Sequence, residues 1–84
     1  MNILSPNRNR LRTVHVTWHA HPGEWQVKEG GSSTVLTRSP TKPPAIAYGR
    51  SYARSIKGEL FIHNMDGTIA ERESYGNDPF PPRG

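Results

Sequence analysis

The sequence predicts a single small α+β domain of element order β-β-α-β-β, with one helix packed on one face of an antiparallel four-stranded sheet. Apolar residues alternate with period two in two segments before residue 30 and in two segments after residue 59, a pattern typical of half-buried strands. Between these segments they recur at three- and four-residue spacing, a pattern typical of an amphipathic helix. A chain of 84 residues has room for one such domain and not for two.

The first two predicted strands form a hairpin. They cover residues 14–18 and 25–28, and the turn between them contains Pro22 and Gly23. Pairing His19 with Glu24 leaves a four-residue loop, whereas a shift of one residue would put the two tryptophans on opposite faces. The preferred register places four apolar side chains on one face: Val16, Trp18, Trp25 and Val27.

The predicted helix follows a connection whose structure the sequence leaves open. Residues 34–37 either add a short strand or pack two apolar side chains over the core. The helix begins near Thr41 as its N-cap, with two prolines in the first turn, and ends near Lys57 with Gly58 as a left-handed C-cap. Its apolar side consists of Ala45, Ile46, Gly49, Tyr52, Ala53 and Ile56.

The last two predicted strands cover residues 60–63 and 68–73 and are joined by a turn at Asp66 and Gly67. Which of Ile69 and Ala70 faces inward is left open. The domain therefore spans residues 14–75, between a flexible basic arm at 1–13 and an extended proline-rich tail at 76–84. The predicted core consists of Val16, Trp18, Trp25, Val27, Ile46, Ala53, Ile56, Leu60 and Ile62.

Composition excludes several classes of protein. The chain has no cysteine, which excludes a disulfide framework and a cysteine-based zinc site. No apolar run approaches the roughly 18 residues that a transmembrane helix needs. The first 13 residues lack the apolar segment of a secretory signal, so the expected location is cytoplasmic, without membrane association.

The sequence predicts neither an enzyme nor a cofactor site. It contains no nucleophile elbow, phosphate loop or paired-carboxylate motif, and Gly30–Ser33 lacks the Lys-Ser/Thr pair of a phosphate loop. His15, His19 and His21 share one strand face by alternation, with Glu24 opposite His19. Because no second ligand pair occurs at recognisable spacing, we expect a solvated histidine cluster and no metal site.

Positive charge is concentrated in the first two thirds of the chain. Through residue 58 there are nine Lys or Arg and two Glu, which is +7, and the remainder carries −3, for a net charge of +4. Arg50, Arg54 and Lys57 recur at i, i+4 and i+7 and form one basic strip of the helix, called here the helix stripe. The stripe and the arginines of the arm suit contact with phosphates.

The predicted function is therefore that of a small non-enzymatic binding domain associated with nucleic acid. The candidate nucleic-acid-binding residues are Arg8, Arg10, Arg12, Lys42, Arg50, Arg54 and Lys57. The alternative is a protein-binding accessory or inhibitor domain, for example one encoded by a phage or mobile element, which would use edge strands and the charge asymmetry. Both a monomer and a homodimer are compatible with the sequence, since exposed strand edges allow pairing with a second copy.

Three short motifs, taken together with their order along the chain, resemble the pattern of a known protein family. They are G-x-W-x-V-K at 23–28, D-G-x-I at 66–69 and Y-G-x-D-P-x-P at 75–81. The chain resembles a bacterial domain-of-unknown-function family, number twenty-one eighty-eight, from Val14 to Arg83. It departs from the family pattern at Pro43 and Pro44, which replace acidic, helix-favouring residues. The resemblance implies the small α+β fold and no particular activity.

Overall fold

Five strands and one helix follow one another along residues 12–76, the part of the chain that the computed structural model describes. The elements are β1 (Thr13–His19), β2 (Glu24–Glu29), β3 (Val35–Ser39), α1 (Lys42–Ile56), β4 (Glu59–His63) and β5 (Ile69–Ser74). The strands form one sheet in the order β3-β2-β1-β4-β5. Most of the predicted arm and nearly all of the predicted tail lie outside the described residues.

The sheet is five-stranded and mixed, so the predicted four-stranded antiparallel sheet is wrong. β3 is a full strand, with Trp25 paired to Ser39 and Gln26 paired to Arg38. β3 runs in the same direction as β1, and α1 then returns the chain to the end of the sheet where β1 starts. β4 therefore begins at the same end of the sheet as β1. The β1–β4 pairing is consequently parallel, with Val16 opposite Ile62, whereas the other three pairings are antiparallel.

The predicted hairpin register is confirmed. Val16 lies opposite Val27, and Trp18 lies opposite Trp25 with 5.3 Å between the ring centroids. The fully buried part of the core consists of Val14, Val16, Trp25, Val27, Ala45, Ala53, Leu60 and Ile62. Trp18, Ile46 and Ile56 are only partly buried and pack against this cluster.

α1 begins and ends close to the predicted residues, but its C-cap differs in detail. Thr41 is the N-cap and two prolines occupy the first turn, as predicted. The left-handed residue is Lys57, with φ of 55°, and not Gly58. Gly58 donates its N–H to the carbonyl of Ala53 at 2.9 Å, and a Cβ at this position would collide with the carbonyl oxygen of Arg12. Glycine is therefore needed here for close approach of two backbones and not for a positive φ.

α1 packs against β1, β2, β3 and β4, but not against β5, among the described elements. Five strands at about 4.8 Å spacing are wider than one helix of about 10 Å diameter, so the edge strand lies beyond it. Ile69 and Ala70 are both exposed. The face of the sheet opposite α1, called here the open face, is covered by no other element of residues 12–76. Within the same residues, no helix is both long and apolar enough to cross a membrane.

Gly49 sets the distance between α1 and the sheet. A Cβ at this position would lie 3.0 Å from Leu60 Cδ1 and 3.0 Å from Val16 Cγ2, two side chains that are fully buried. We therefore expect Gly49→Val to lower the free energy of unfolding by about 1–3 kcal/mol through overpacking. Urea denaturation measures this change.

The matched control is Ala47→Val, on the exposed side of the same helix. It introduces the same side chain without the contact and should cost about 0.7 kcal/mol or less, the difference in helix propensity. Equal losses for the two variants would show that Gly49 does not set the packing distance.

Candidate functional site

The helix stripe is partly engaged in contacts within the domain. Arg50 donates from Nε to Glu73 Oε1 at 2.9 Å and from Nη2 to Glu73 Oε2 at 2.7 Å, and its Nη2 lies 3.9 Å from Glu71. The hydrogen bonds from Arg50, and secondly the one from the Tyr75 hydroxyl, hold the pKa of Glu73 below its ordinary value. Arg50 therefore connects α1 to β5, the strand against which the helix backbone does not pack.

The other two stripe residues keep their charge available to solvent. The guanidinium carbon of Arg54 lies 5.2 Å from the centroid of the Tyr75 ring, at a distance typical of a cation–π contact. Lys57 is exposed at the C-cap of α1. Neither residue forms an ion pair with a carboxylate of residues 12–76.

The remaining predicted cations do not join the stripe. Arg12 forms an ion pair with Glu29, with 3.0 Å from its Nη2 to Oε1, and the Tyr52 hydroxyl donates to the same oxygen at 2.9 Å. Lys42 lies over the Trp25 ring, with Nζ 4.7 Å from the centroid. Arg8 and Arg10 lie outside the described residues. The structure thus distributes the predicted residues over several places and does not gather them into one surface.

A cleft of about 360 Å³ opens on the open face of the sheet, at the turn between β2 and β3. β1 supplies His15, Thr17 and His19, and β4 supplies His63. The end of β2 and the turn that follows it supply the rest of the lining: Lys28, Glu29, Gly30, Gly31 and Ser32.

A pair of histidines forms the floor of this cleft. His15 Nδ1 lies 3.1 Å from His63 Nε2, because parallel pairing of β1 with β4 brings these strands side by side. The outer nitrogens also have partners: His15 Nε2 lies 3.1 Å from Thr13 Oγ1, and His63 Nδ1 lies 3.3 Å from the carbonyl oxygen of Gly67. Burial, and secondly the charge of His63, lower the pKa of His15 below 6.5.

A row of side chains crosses the open face beside the cleft. Lys28 is the cross-strand neighbour of His15, which is followed by Phe61 and then Arg72 on the next two strands. The rings of His15 and Phe61 are stacked, with 5.1 Å between centroids and 11° between planes. The guanidinium carbon of Arg72 lies 5.7 Å from the centroid of Phe61. Both neighbours of the Phe61 ring in this row are thus basic side chains.

The turn beside the cleft depends on two glycines. Gly31 has a φ of 81°, which a residue with a side chain rarely adopts. Gly30 donates its N–H to the carbonyl of Thr13 at 2.8 Å, and a Cβ on it would collide with the Thr13 hydroxyl and lie 3.3 Å from His15 Nε2. Glycine at position 30 therefore lets the turn lie directly against β1.

The cleft has the chemistry of an anion site. Glu29 is the one acidic residue among the described residues that line it, and Arg12 and Tyr52 hold its carboxylate on the α1 side of the sheet. Glu24, opposite His19 at the edge of the cleft, accepts hydrogen bonds from Arg38 at 2.8 Å and from Gln26 at 2.7 Å. The Lys28 amine therefore forms no ion pair with a carboxylate of residues 12–76.

The structure revises the predicted histidine cluster. His15 and His19 lie on the open face as expected, whereas His21 is exposed in the β1–β2 turn and does not line the cleft. Residues 12–76 contain no group of three or more His, Cys, Asp or Glu that could hold a metal ion. Sequence reasoning missed Lys28 and His63. Alternation in β4 predicts that His63 lies on the open face, because Leu60 and Ile62 face the core. Its contact with His15 could not be predicted without the strand order.

Comparison with known proteins places the chain in a family but does not assign a function. The model of DUF2188, described as an uncharacterized protein conserved in bacteria, matches residues 14–75, which is most of the chain. The chain therefore belongs to this family, which confirms the predicted family resemblance over residues 14–75. No curated protein and no solved structure matches the chain significantly.

The pairing of Glu73 with Arg50 makes the stability of the domain depend on pH in the acid range. Because the pKa of Glu73 is lowered on folding, its contribution is complete above its ordinary value of 4.5 and is lost as the pH falls through the folded-state pKa. We therefore expect Glu73→Gln to be less stable than wild type at about pH 7, with a smaller difference at about pH 3. Urea midpoints at the two pH values measure this.

The control is Glu71→Gln, since Glu71 is 61% exposed and lies 3.9 Å from the same guanidinium. It should change the midpoint less than Glu73→Gln does at about pH 7. A larger effect of Glu71→Gln would show that Arg50 is held mainly by Glu71 and not by Glu73.

Proposed function

We propose that this member of the DUF2188 family is a non-enzymatic domain that binds nucleic acid through phosphate groups, with the cleft on the open face as the central contact. The observation that carries the proposal is the lining of the cleft. The cleft is lined by one lysine, three histidines, Thr17 and Ser32. Glu29 is the one acidic residue among the described residues of the lining, and its carboxylate lies on the α1 side of the sheet. The Lys28 amine suits an anionic oxygen such as that of a phosphate and repels a cationic ligand. The ring nitrogens of His15 and His63, and Nε2 of His19, already have partners within the domain.

The row from Lys28 to Arg72 extends this contact beyond one phosphate. It spans three spacings between strands, or about 14 Å. Arg72 is 61% exposed, and its ion pair with Glu59 is long, at 3.4 Å, so a phosphate can compete for its guanidinium. A short single strand of nucleic acid laid across the open face would therefore contact a cation at each end of the row.

The arrangement of the rings favours recognition of the backbone over recognition of bases. His15 and Arg72 flank the Phe61 ring, so a base can stack on Phe61 only by displacing one of them. Phosphate contacts from lysine, arginine and histidine carry no sequence information by themselves. The proposed binding is consequently sensitive to salt and tolerant of sequence, and the net charge of +4 favours it.

One observation favours the alternative of a protein-binding domain. β5 is an edge strand, and the large apolar side chains Ile69 and Met65 at this end of the sheet are 56% and 61% exposed. An exposed edge with apolar side chains suits the addition of a strand from a partner protein. Met65 and Ile69 do not line the cleft, although Ile69 is the cross-strand partner of His63, so substitutions at these two positions test this alternative.

Removal of Lys28 tests the cleft as the phosphate contact. We expect wild-type protein to bind a labelled single-stranded oligonucleotide at low ionic strength, with affinity falling steeply as salt is added. Lys28→Gln should weaken binding and reduce the slope of log K against log salt by about 0.7, because one phosphate contact is lost. Fluorescence anisotropy at several salt concentrations measures both effects.

Lys57→Gln is the matched control, since it removes the same charge from the exposed end of α1. It should leave the affinity and the salt slope close to wild type. A loss of binding with Lys57→Gln and not with Lys28→Gln would show that the helix stripe is the contact. If no salt-sensitive binding occurs and a pull-down recovers a protein partner that survives nuclease treatment, the protein-binding alternative holds.

A further inference from the structure

We infer that the His15–His63 pair makes phosphate binding in the cleft dependent on pH, by taking up one proton, and only one, as the anion binds. This inference rests on the proposed function and adds to it a regulation of the same site. It is derived from the hydrogen-bond chain through the two rings, whose four nitrogens all have a partner.

The hydrogen bonds determine where the protons lie when both rings are neutral. A carbonyl oxygen only accepts, so His63 Nδ1 carries a hydrogen that it donates to Gly67. His63 Nε2 is then an acceptor, and His15 Nδ1 donates to it across 3.1 Å. His15 Nε2 is left as the acceptor for the hydroxyl of Thr13. The neutral pair thus holds two ring N–H groups in a continuous chain of donors and acceptors.

The chain accommodates a third N–H but not a fourth. A proton taken from solvent at His15 Nε2 turns that bond around, so the ring donates to the Thr13 oxygen while every other bond stays as it was. A further proton would have to go on His63 Nε2, which would put two N–H groups face to face over 3.1 Å and two positive rings side by side. The pair therefore takes up a single positive charge.

Burial of His15 and the neighbouring His63 ring oppose this proton in the free protein. Lys28 faces His15 from β2, Arg72 faces the row from β5, and His19 lies further along β1. Two nearby carboxylates have other partners, since Glu59 lies 3.4 Å from Arg72 and Asp66 accepts hydrogen bonds from Thr68 in the β4–β5 turn. A phosphate in the cleft adds negative charge beside the rings and favours the proton.

Because linkage is reciprocal, a proton that is favoured by the anion must also strengthen binding of the anion. Above the pKa of the pair the rings are neutral and Lys28 supplies the charge of the cleft. As the pH falls through that pKa, one positive charge is added and affinity rises. With one linked proton, the dissociation constant changes by at most about tenfold per pH unit.

The experiment measures the affinity of the full chain for labelled oligothymidylate between about pH 8 and pH 5.5 at constant ionic strength. We expect the dissociation constant to fall by about fivefold or more across this range, and at no point by more than about tenfold per pH unit. In His15→Gln the ratio of the two end-point constants should approach one, because the ring that takes up the proton is absent. His21→Gln removes a histidine outside the cleft and should keep the wild-type ratio.

The outcomes separate this inference from the function on which it rests. Absence of binding at every pH contradicts the proposed function, whereas binding with the same affinity at every pH contradicts only the proton linkage. Loss of the pH dependence in His19→Gln but not in His15→Gln would move the proton to His19. A slope steeper than about tenfold per pH unit would show that more than one proton is linked.

Discussion

The architecture depends on the mismatch in width between one helix and a five-stranded sheet. α1 comes close to the sheet because Ala45, Gly49 and Ala53 are its buried residues, and it covers four strands. Two consequences follow from the remaining area. β5 is joined to the helix by the long side chains of Arg50 and Arg54 instead of by a packed core. The open face, which no second helix of the described residues covers, must carry side chains that tolerate water, and the row from Lys28 to Arg72 and the cleft lie there.

The same constraint determines which of the predicted cations are engaged within the domain. Of the predicted binding residues in the described range, Arg12 and Arg50 are bound by carboxylates, and Lys42 and Arg54 lie on aromatic rings. These contacts hold the ends and the edge of the domain together. Lys28 in the cleft, the centre of the proposed phosphate contact, and Lys57 at the end of α1 form no ion pair with a carboxylate of residues 12–76.

Local pattern was sufficient for much of the fold. The hairpin register follows from two tryptophans and two valines that must share one face, and the helix bounds follow from Thr41, the two prolines and the glycine at the end. Spacing in the sequence also correctly places His15 and His19 together. It fails for His21, since alternation does not continue into a turn, and for His63, which is 48 positions away from His15 and meets it only across a strand pairing.

By itself, the sequence determined the first hairpin, the helix, the last two strands and the absence of disulfides, because these depend on periodicity, turn residues and composition over short stretches of chain. Tertiary structure alone decided the number of strands that pair and the direction of β4. Residues 35–39 are compatible with a strand or with a loop, and only the unpaired edge of β2 makes the strand favourable. Because of this additional strand, the chain enters α1 from the opposite end of the sheet, and β4 pairs with β1 in parallel. The parallel pairing brings His63 beside His15.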